Sequence, residues 1–302
     1  MLEKIDEFSA YLLALGAAGN TAVSYARDLR QFAAWLSDSF PGTDIADISQ
    51  IITERYIEEL EASGRSTATI SRYITAFRRF FAWAFAKGYV FNDPAAHLKS
   101  PKVMRKSPAA VSMSDIERLI NAAQGKSAKC LRDTAMLRLM GFAGIGAAEL
   151  LMISLSDVEL KKKSILVGTV HKRVLTVDKK TAAIVKRYVL QGRPMLLKEL
   201  TAVDHGTVQA KEIIDDSSDS GLLFINCGGG RMSRQGLWKN IRYYSEAAGL
   251  AEPLTPETLR HSYAVNAIRS GESALSVQEK LGHITDSSVI EYMQIAKKYD
   301  KY

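Results

Sequence analysis

Apolar positions at helical spacing dominate the first hundred residues of this chain. Phe8, Tyr11, Leu12 and Leu15 recur three and four apart, which predicts a helix buried along one side. Gly16 and Gly19 end it, and Asn20 is placed to cap a second helix carrying Val23, Leu29, Phe32 and Leu36 on or near one face. A third helix is predicted from about Ile48 to Ala62, with Gly64 ending it. Ser66 or Thr67 caps the fourth, whose stripe of Ile70, Ile74, Phe77, Phe81 and Phe85 is the richest in this half. Arg72, Arg78 and Arg79 fall on its other faces. About four or five helices without a strand signal predict a small helical bundle.

The periodicity then stops. Residues 100–112 hold two prolines and several positive charges, as an interdomain linker does. Ser112 or Ser114 starts a new helical segment, and Ala135 to Phe142 predicts a buried helix. Ser164–Val167 and Val174–Val177 are predicted strands of a hairpin, followed by a helix over Thr181 to Leu190. Asp215 to Ser220 forms a polar run expected to be a mobile loop. Phe224-Ile225-Asn226 is a candidate last strand, and Ser233 to Ala248 a helix with Trp238, Ile241 and Tyr244 inward.

Composition narrows the class. With 302 residues, 47% of them hydrophobic, the chain can bury two cores. A net charge of +7 and a pI near 9.2 favour an anionic partner, DNA or RNA first. Cys130 and Cys227 make neither a disulfide framework nor a zinc cluster. The charged N-terminus lacks the apolar run of a signal peptide, and no stretch of about 20 apolar residues occurs. A cytoplasmic protein with no membrane span, metal or cofactor is expected.

The candidate chemistry lies near the end of the chain. Thr255 is a good helix N-cap and Pro256 suits the first helical position. Glu257 and Arg260, three apart, share a face, and the plain reading is a surface ion pair. His261 is read as a packed or hydrogen-bonded histidine. His283 follows Gly282 in a turn, and Tyr292 sits on a last helix beside Val289 and Ile290. Each residue alone has an ordinary structural explanation; their joint order and spacing do not.

Thr255-Pro256-Glu257-Thr258-Leu259-Arg260-His261-Ser262-Tyr263, then Leu281-Gly282-His283, then Tyr292 nine residues on, resembles the C-terminal signature of the tyrosine recombinases, the phage-integrase and Xer family. Asn20 to Leu29 and Ser71 to Phe80 are similar to the family's core-binding domain, and Gly229 to Trp238 to its G-G-R-x-S-R-Q-x-x-W block. The resemblance covers nearly the whole chain. It implies a mainly α fold: a helical, SAM-like DNA-binding domain over residues 1–99, a linker at 100–112, and an α+β catalytic-type domain over 113–302 with a small antiparallel sheet. It further implies cutting and rejoining of duplex DNA through a 3′-phosphotyrosyl intermediate, by a tetramer on two sites. Such chemistry needs convergent positive donors around a phosphate, and no ATP or metal.

Carried across by position, Tyr292 matches the nucleophile, Arg260 the second arginine and His283 the second histidine. Glu257 stands in place of the first histidine. Gly146 stands in place of the first arginine, within Gly144-Ile145-Gly146-Ala147-Ala148-Glu149-Leu150. Lys172 is the candidate hairpin lysine, in an unsettled register. Arg132 and Arg138 are the nearby cations available to stand in for the first arginine. Arg65, Arg72, Arg78, Arg79, Lys102, Arg105 and Lys106 are candidate DNA contacts. Two readings remain open: an active recombinase, or a catalytically impaired DNA-binding protein with an architectural or regulatory role.

Overall fold

The computed structural model describes residues 1–17, 19–102, 109–168, 172–203, 221–282 and 286–299, without the side chains of 199–203 and 286. The expected loop at Asp215 to Ser220 lies outside the described residues. Two compact units are present, Met1–Arg105 and Lys106–Tyr302.

The first unit is built from α1 (Leu2–Ala14), α2 (Gly19–Ser39), α3 (Gln50–Ala62) and α4 (Thr67–Ala86). Ser66 is the α4 cap, its Oγ accepting from the Thr69 N–H at 3.2 Å. Gly19 opens α2, so Asn20 lies inside its first turn and does not cap it. The core is aromatic: Phe8, Phe32, Phe77, Phe80 and Phe81 are buried, with Phe32 and Phe77 rings 4.7 Å apart. Phe85 is 53% exposed. At 3.6 residues per turn the stripe from Ile70 has drifted about 60° by Phe85, and Phe80 and Ala84 face inward instead. Tyr11, Leu15 and Val23 also face out, leaving Ile5, Phe8 and Leu12 as the buried side of α1.

The second unit opens with α5 (Met113–Ala122), capped by Ser112, and α6 (Ala128–Ala143), which is buried nearly all round. After α7 (Ala147–Leu150) come β1 (Val158–Glu159), β2 (Ser164–Val167) and β3 (Arg173–Thr176), an antiparallel sheet in that order with Leu166 opposite Val174. The fold is mainly α with a small antiparallel sheet, as the sequence led us to expect; β1, only two residues long, leaves no periodic signal. α8 (Lys179–Arg187) continues through a π-helical turn into α9 (Arg193–Val203). Phe224-Ile225-Asn226 is not a strand. Ile225 makes one isolated bridge to Arg231, and the Asn226 N–H bonds the Gly230 carbonyl at 2.8 Å, so the chain turns back at once. α10 (Arg234–Ala247) follows, with Ile241 and Tyr244 inward but Trp238 41% exposed.

α11 (Pro256–Arg269), α12 (Ala274–Leu281) and α13 (Asp286–Tyr299) finish the chain. They share a core of Ala264, Val265, Val277, Leu281, Tyr292, Ile295 and Ala296. Among the described residues no helix is long and apolar enough to cross a membrane.

Candidate active site

The site is assembled from the start of α11, the turn before α7, the start of β3 and the end of α12. Thr255 caps α11, its Oγ1 accepting from the Thr258 N–H at 3.0 Å, and Pro256 occupies the first turn. This fixes the helix start and places Arg260 one turn in. Arg260 does not pair with Glu257. Its Nη1 donates to Glu149 Oε2 at 2.9 Å and to the Gly144 carbonyl at 3.2 Å, and its Nη2 donates to the Leu281 carbonyl at 2.5 Å. One guanidinium thus joins the end of α6, α7 and the end of α12.

Glu149 is the hub. Its Oε1 accepts from Arg173 Nη1 at 2.6 Å, and its Oε2 accepts from Arg173 Nη2 at 3.2 Å and from the Gly146 N–H at 3.0 Å. Arg173 Nε donates to the Lys280 carbonyl at 2.6 Å. Burial alone would raise the Glu149 pKa. The Arg173 and Gly146 hydrogen bonds, with the charges of Arg173 and Arg260, outweigh it and hold the carboxyl below its usual range. A group depressed in this way stabilises the fold above its unfolded pKa, about 4.3 for glutamate, and loses that contribution as pH falls towards its folded value. Glu149→Gln is therefore expected to cost about 3 kcal/mol at neutral pH, the low end for breaking a buried pair. In urea unfolding, the gap to the parent should begin to narrow as pH falls below about 4.3, and close once the carboxyl protonates in the folded state as well.

Glycine matters at two places here. Gly282, at φ +63°, would put a Cβ 2.6 Å from Arg173 Nη1, so the guanidinium lies flat against bare backbone. At Gly146 a Cβ would stand 2.9 Å from Arg260 Nη1 and 3.3 Å from Glu149 Oε2. The absence of a side chain at 146 is what lets Arg260 settle against Glu149.

Arg138 and Arg132, the sequence candidates for a replacement cation, are committed elsewhere. Arg138 bonds Glu117 at 2.6 Å and Thr181 at 2.9 Å, and Arg132 bonds Asp133 at 2.8 Å and the Ile225 carbonyl at 3.0 Å. Arg173 is the cation beside Arg260, and sequence reasoning passed over it. Its signal was present: a basic residue entering β3, and a retained Glu149 with no arginine three residues before it.

Tyr292 is buried, 3% exposed, and its hydroxyl lies 2.7 Å from His261 Nδ1. Burial raises the phenol pKa; Arg260 opposes this and Glu291 adds to it. Burial lowers the His261 pKa, with Glu257 and Glu291 opposing and Arg260 reinforcing. His261 is thus neutral near pH 7, and in the tautomer protonated at Nε2 its Nδ1 accepts from the phenol. Glu257 is exposed in the first turn of α11, where the helix dipole favours a carboxylate. With Arg234, Trp238, Lys239 and Ala147 it lines a cleft of about 530 Å³. Lys172 is exposed just before β3. His283, Arg105 and Lys106 lie outside the described residues.

In the first unit, Arg65, Arg78 and Arg79 are exposed on or beside α4, and Lys102 is exposed after the unit's last helix. Arg72 is tied down: Nη2 lies 3.1 Å from the fully buried Asp28, and Nη1 donates to Ser24 Oγ at 3.0 Å. Arg79 lies 6.0 Å from the Tyr25 ring, so Arg72 and Arg79 both lean towards α2.

Residues 110–299 match the phage integrase family, and residues 5–88 match the phage integrase N-terminal SAM-like domain. The tyrosine recombinase XerD of Halalkalibacterium halodurans is 30% identical over 93% of this chain and 89% of its own length. The XerD of Listeria innocua is 28% identical over 98% and 95%. Among solved structures, XerH recombinase in its post-cleavage complex with a palindromic difH substrate superposes with a TM-score of 0.69, at 18% identity over 95% of this chain and 79% of that one. A lambda integrase (75–356) dimer bound to a COC′ core site gives 0.66, at 16% identity over 97% and 94%. These superpositions establish a shared fold.

Proposed function

The chain belongs to the phage integrase family of tyrosine recombinases, and on that premise we propose that it binds duplex DNA and cuts and rejoins it through a phosphodiester linkage to Tyr292. The observation that carries this reading is the pair of α11 residues at the site: Arg260, part-buried beside Glu149, and His261, bonded to the Tyr292 hydroxyl. In the reaction, Tyr292 Oη attacks the phosphorus, the 5′ oxygen leaves, and a 3′-phosphotyrosyl bond stores the energy for rejoining. Arg260 donates to the non-bridging oxygens as their charge grows, and Arg173 adds positive field from the other side of Glu149. Lys172, exposed before β3, is the proton donor to the leaving 5′ oxygen. His283 is assigned a second hydrogen bond to the phosphate, and Glu257 the rim of the adjoining cleft.

The exposed Arg65, Arg78, Arg79 and Lys102, with Arg105 and Lys106, supply phosphate contacts, which make binding strongly salt-dependent. Arg72 contributes less directly, since it already neutralises Asp28. Each tyrosine cuts one strand, so exchange between two duplexes calls for four protomers on two sites. A chromosomal or plasmid substrate fits the cytoplasmic location expected from the sequence.

The test is a nicked duplex carrying a site selected from a randomised pool, in which the short cleaved strand diffuses away and traps the intermediate. A covalent protein–DNA adduct is expected, with the nucleotide mapped to Tyr292 by mass spectrometry of the digested protein. Tight duplex binding with no adduct would instead support the catalytically impaired reading.

A further inference from the structure

Resting on the reading of Tyr292 as nucleophile, we propose that His261 is the base that takes the phenolic proton of Tyr292 during cleavage, with Glu257 as the carboxylate that supports its charged form. The geometry is direct. His261 Nδ1 stands 2.7 Å from the Tyr292 hydroxyl, inside the range expected of a general base. Among the described residues it is that hydroxyl's hydrogen-bond partner. Arg260 and His261 are consecutive on α11, so the phosphate ligand and the base are held about 100° apart on one rigid helix. Glu257 lies one turn before His261, at the i,i+4 spacing that brings side chains together.

The step balances. The Tyr292 oxygen forms its bond to phosphorus as its proton passes to His261 Nδ1. The phosphorus–O5′ bond breaks, and the 5′ oxygen takes a proton from Lys172. On rejoining, the 5′ hydroxyl returns its proton to Lys172 as it attacks phosphorus, the phosphorus–Tyr292 oxygen bond breaks, and His261 returns its proton to the departing phenol. His261 is suited to begin this cycle because its ring starts neutral, burial holding its pKa down. Among the described residues, the charged and titratable groups that reach it are Glu257 and Arg260 on α11, and Glu291 and Tyr292 on α13. The two carboxylates favour the imidazolium that forms, and Arg260 resists it until a phosphate neutralises that guanidinium.

Single-turnover adduct formation on the nicked duplex, followed from about pH 5 to pH 9, tests this. The parent rate should rise with pH through the His261 titration and then level. His261→Asn keeps an acceptor where Nδ1 stands but cannot hold the proton; a fall of about 100-fold with loss of the acidic limb is expected. Free imidazole should restore part of the rate in His261→Ala. Glu257→Gln removes a charge that raises the His261 pKa, so its acidic limb should move to lower pH. His261→Asn cleaving at the parent rate with the same limb, or faster, would overturn the proposal and make the bond a resting latch. Should His261→Asn lose duplex binding, the Glu257→Gln shift decides alone, and an unmoved limb refutes the pairing. An adduct in the parent with unaffected variants sinks only this inference; no parent adduct sinks the functional reading with it.

Discussion

Tyr292→Phe is expected to abolish covalent linkage to DNA while duplex binding stays within about twofold, because only the attacking oxygen is removed. The ring remains in the core shared by α11, α12 and α13, among Val265, Val277 and Ile295. The folded state loses one hydrogen bond, to His261 Nδ1, worth about 1 kcal/mol. Denaturing gels of the nicked-duplex reaction measure linkage, and mobility shifts measure binding. Residual adduct in the phenylalanine variant would point to another nucleophile and dismantle the site described above.

Arg260→Ala carries the second large effect. Loss of one preorganised donor to a developing oxyanion costs about 100- to 1000-fold in rate. The upper end is expected here, since Gly146 offers no side chain that could share the load. Arg260 also holds the Gly144 and Leu281 carbonyls, so the end of α12, which leads to His283, loosens with it. Arg260→Lys is expected to recover little. A single ammonium cannot span Glu149, two carbonyls and a phosphate as the guanidinium fork does. The measurement is the single-turnover adduct rate set beside the urea unfolding midpoint. A folded Arg260→Ala that cleaves within about tenfold of the parent would remove Arg260 from the phosphate.

Gly146 looks different once Arg260 is placed. On sequence it is a missing cation. In space it is the bare backbone against which Arg260 lies, and an arginine introduced there would push the existing one away from Glu149. The second positive charge at Glu149 comes instead from β3, through Arg173, which bonds the other oxygen of the same carboxylate. Glu257 likewise changes meaning. Beside Arg260 on a helical wheel it looked like that residue's partner; at the helix start it faces a cleft and acts on His261 through charge.

Local chemistry made much of the fold legible in the sequence. Ser66, Ser112 and Thr255 cap helices where a short hydroxyl precedes an apolar period, and each accepts a backbone N–H as that pattern requires. The hairpin strands stood out because Ile165, Val167 and Leu175 alternate with more exposed neighbours. Misreadings fell where burial and not periodicity decides: Phe85 and Trp238 turn outward, and among the described residues of its own unit no element covers either ring. The order of Arg260, His283 and Tyr292 marked the family from the sequence alone. Tertiary structure alone decided which charges meet. Arg260 finds Glu149 across 111 positions, Arg173 reaches the same carboxylate across 24, and Tyr292 meets His261 across 31. Helical spacing ranks only neighbours one turn apart. A guanidinium instead takes whichever carboxylate folding brings within reach and shields from water, and that is set by where α7, β3 and the end of α12 converge.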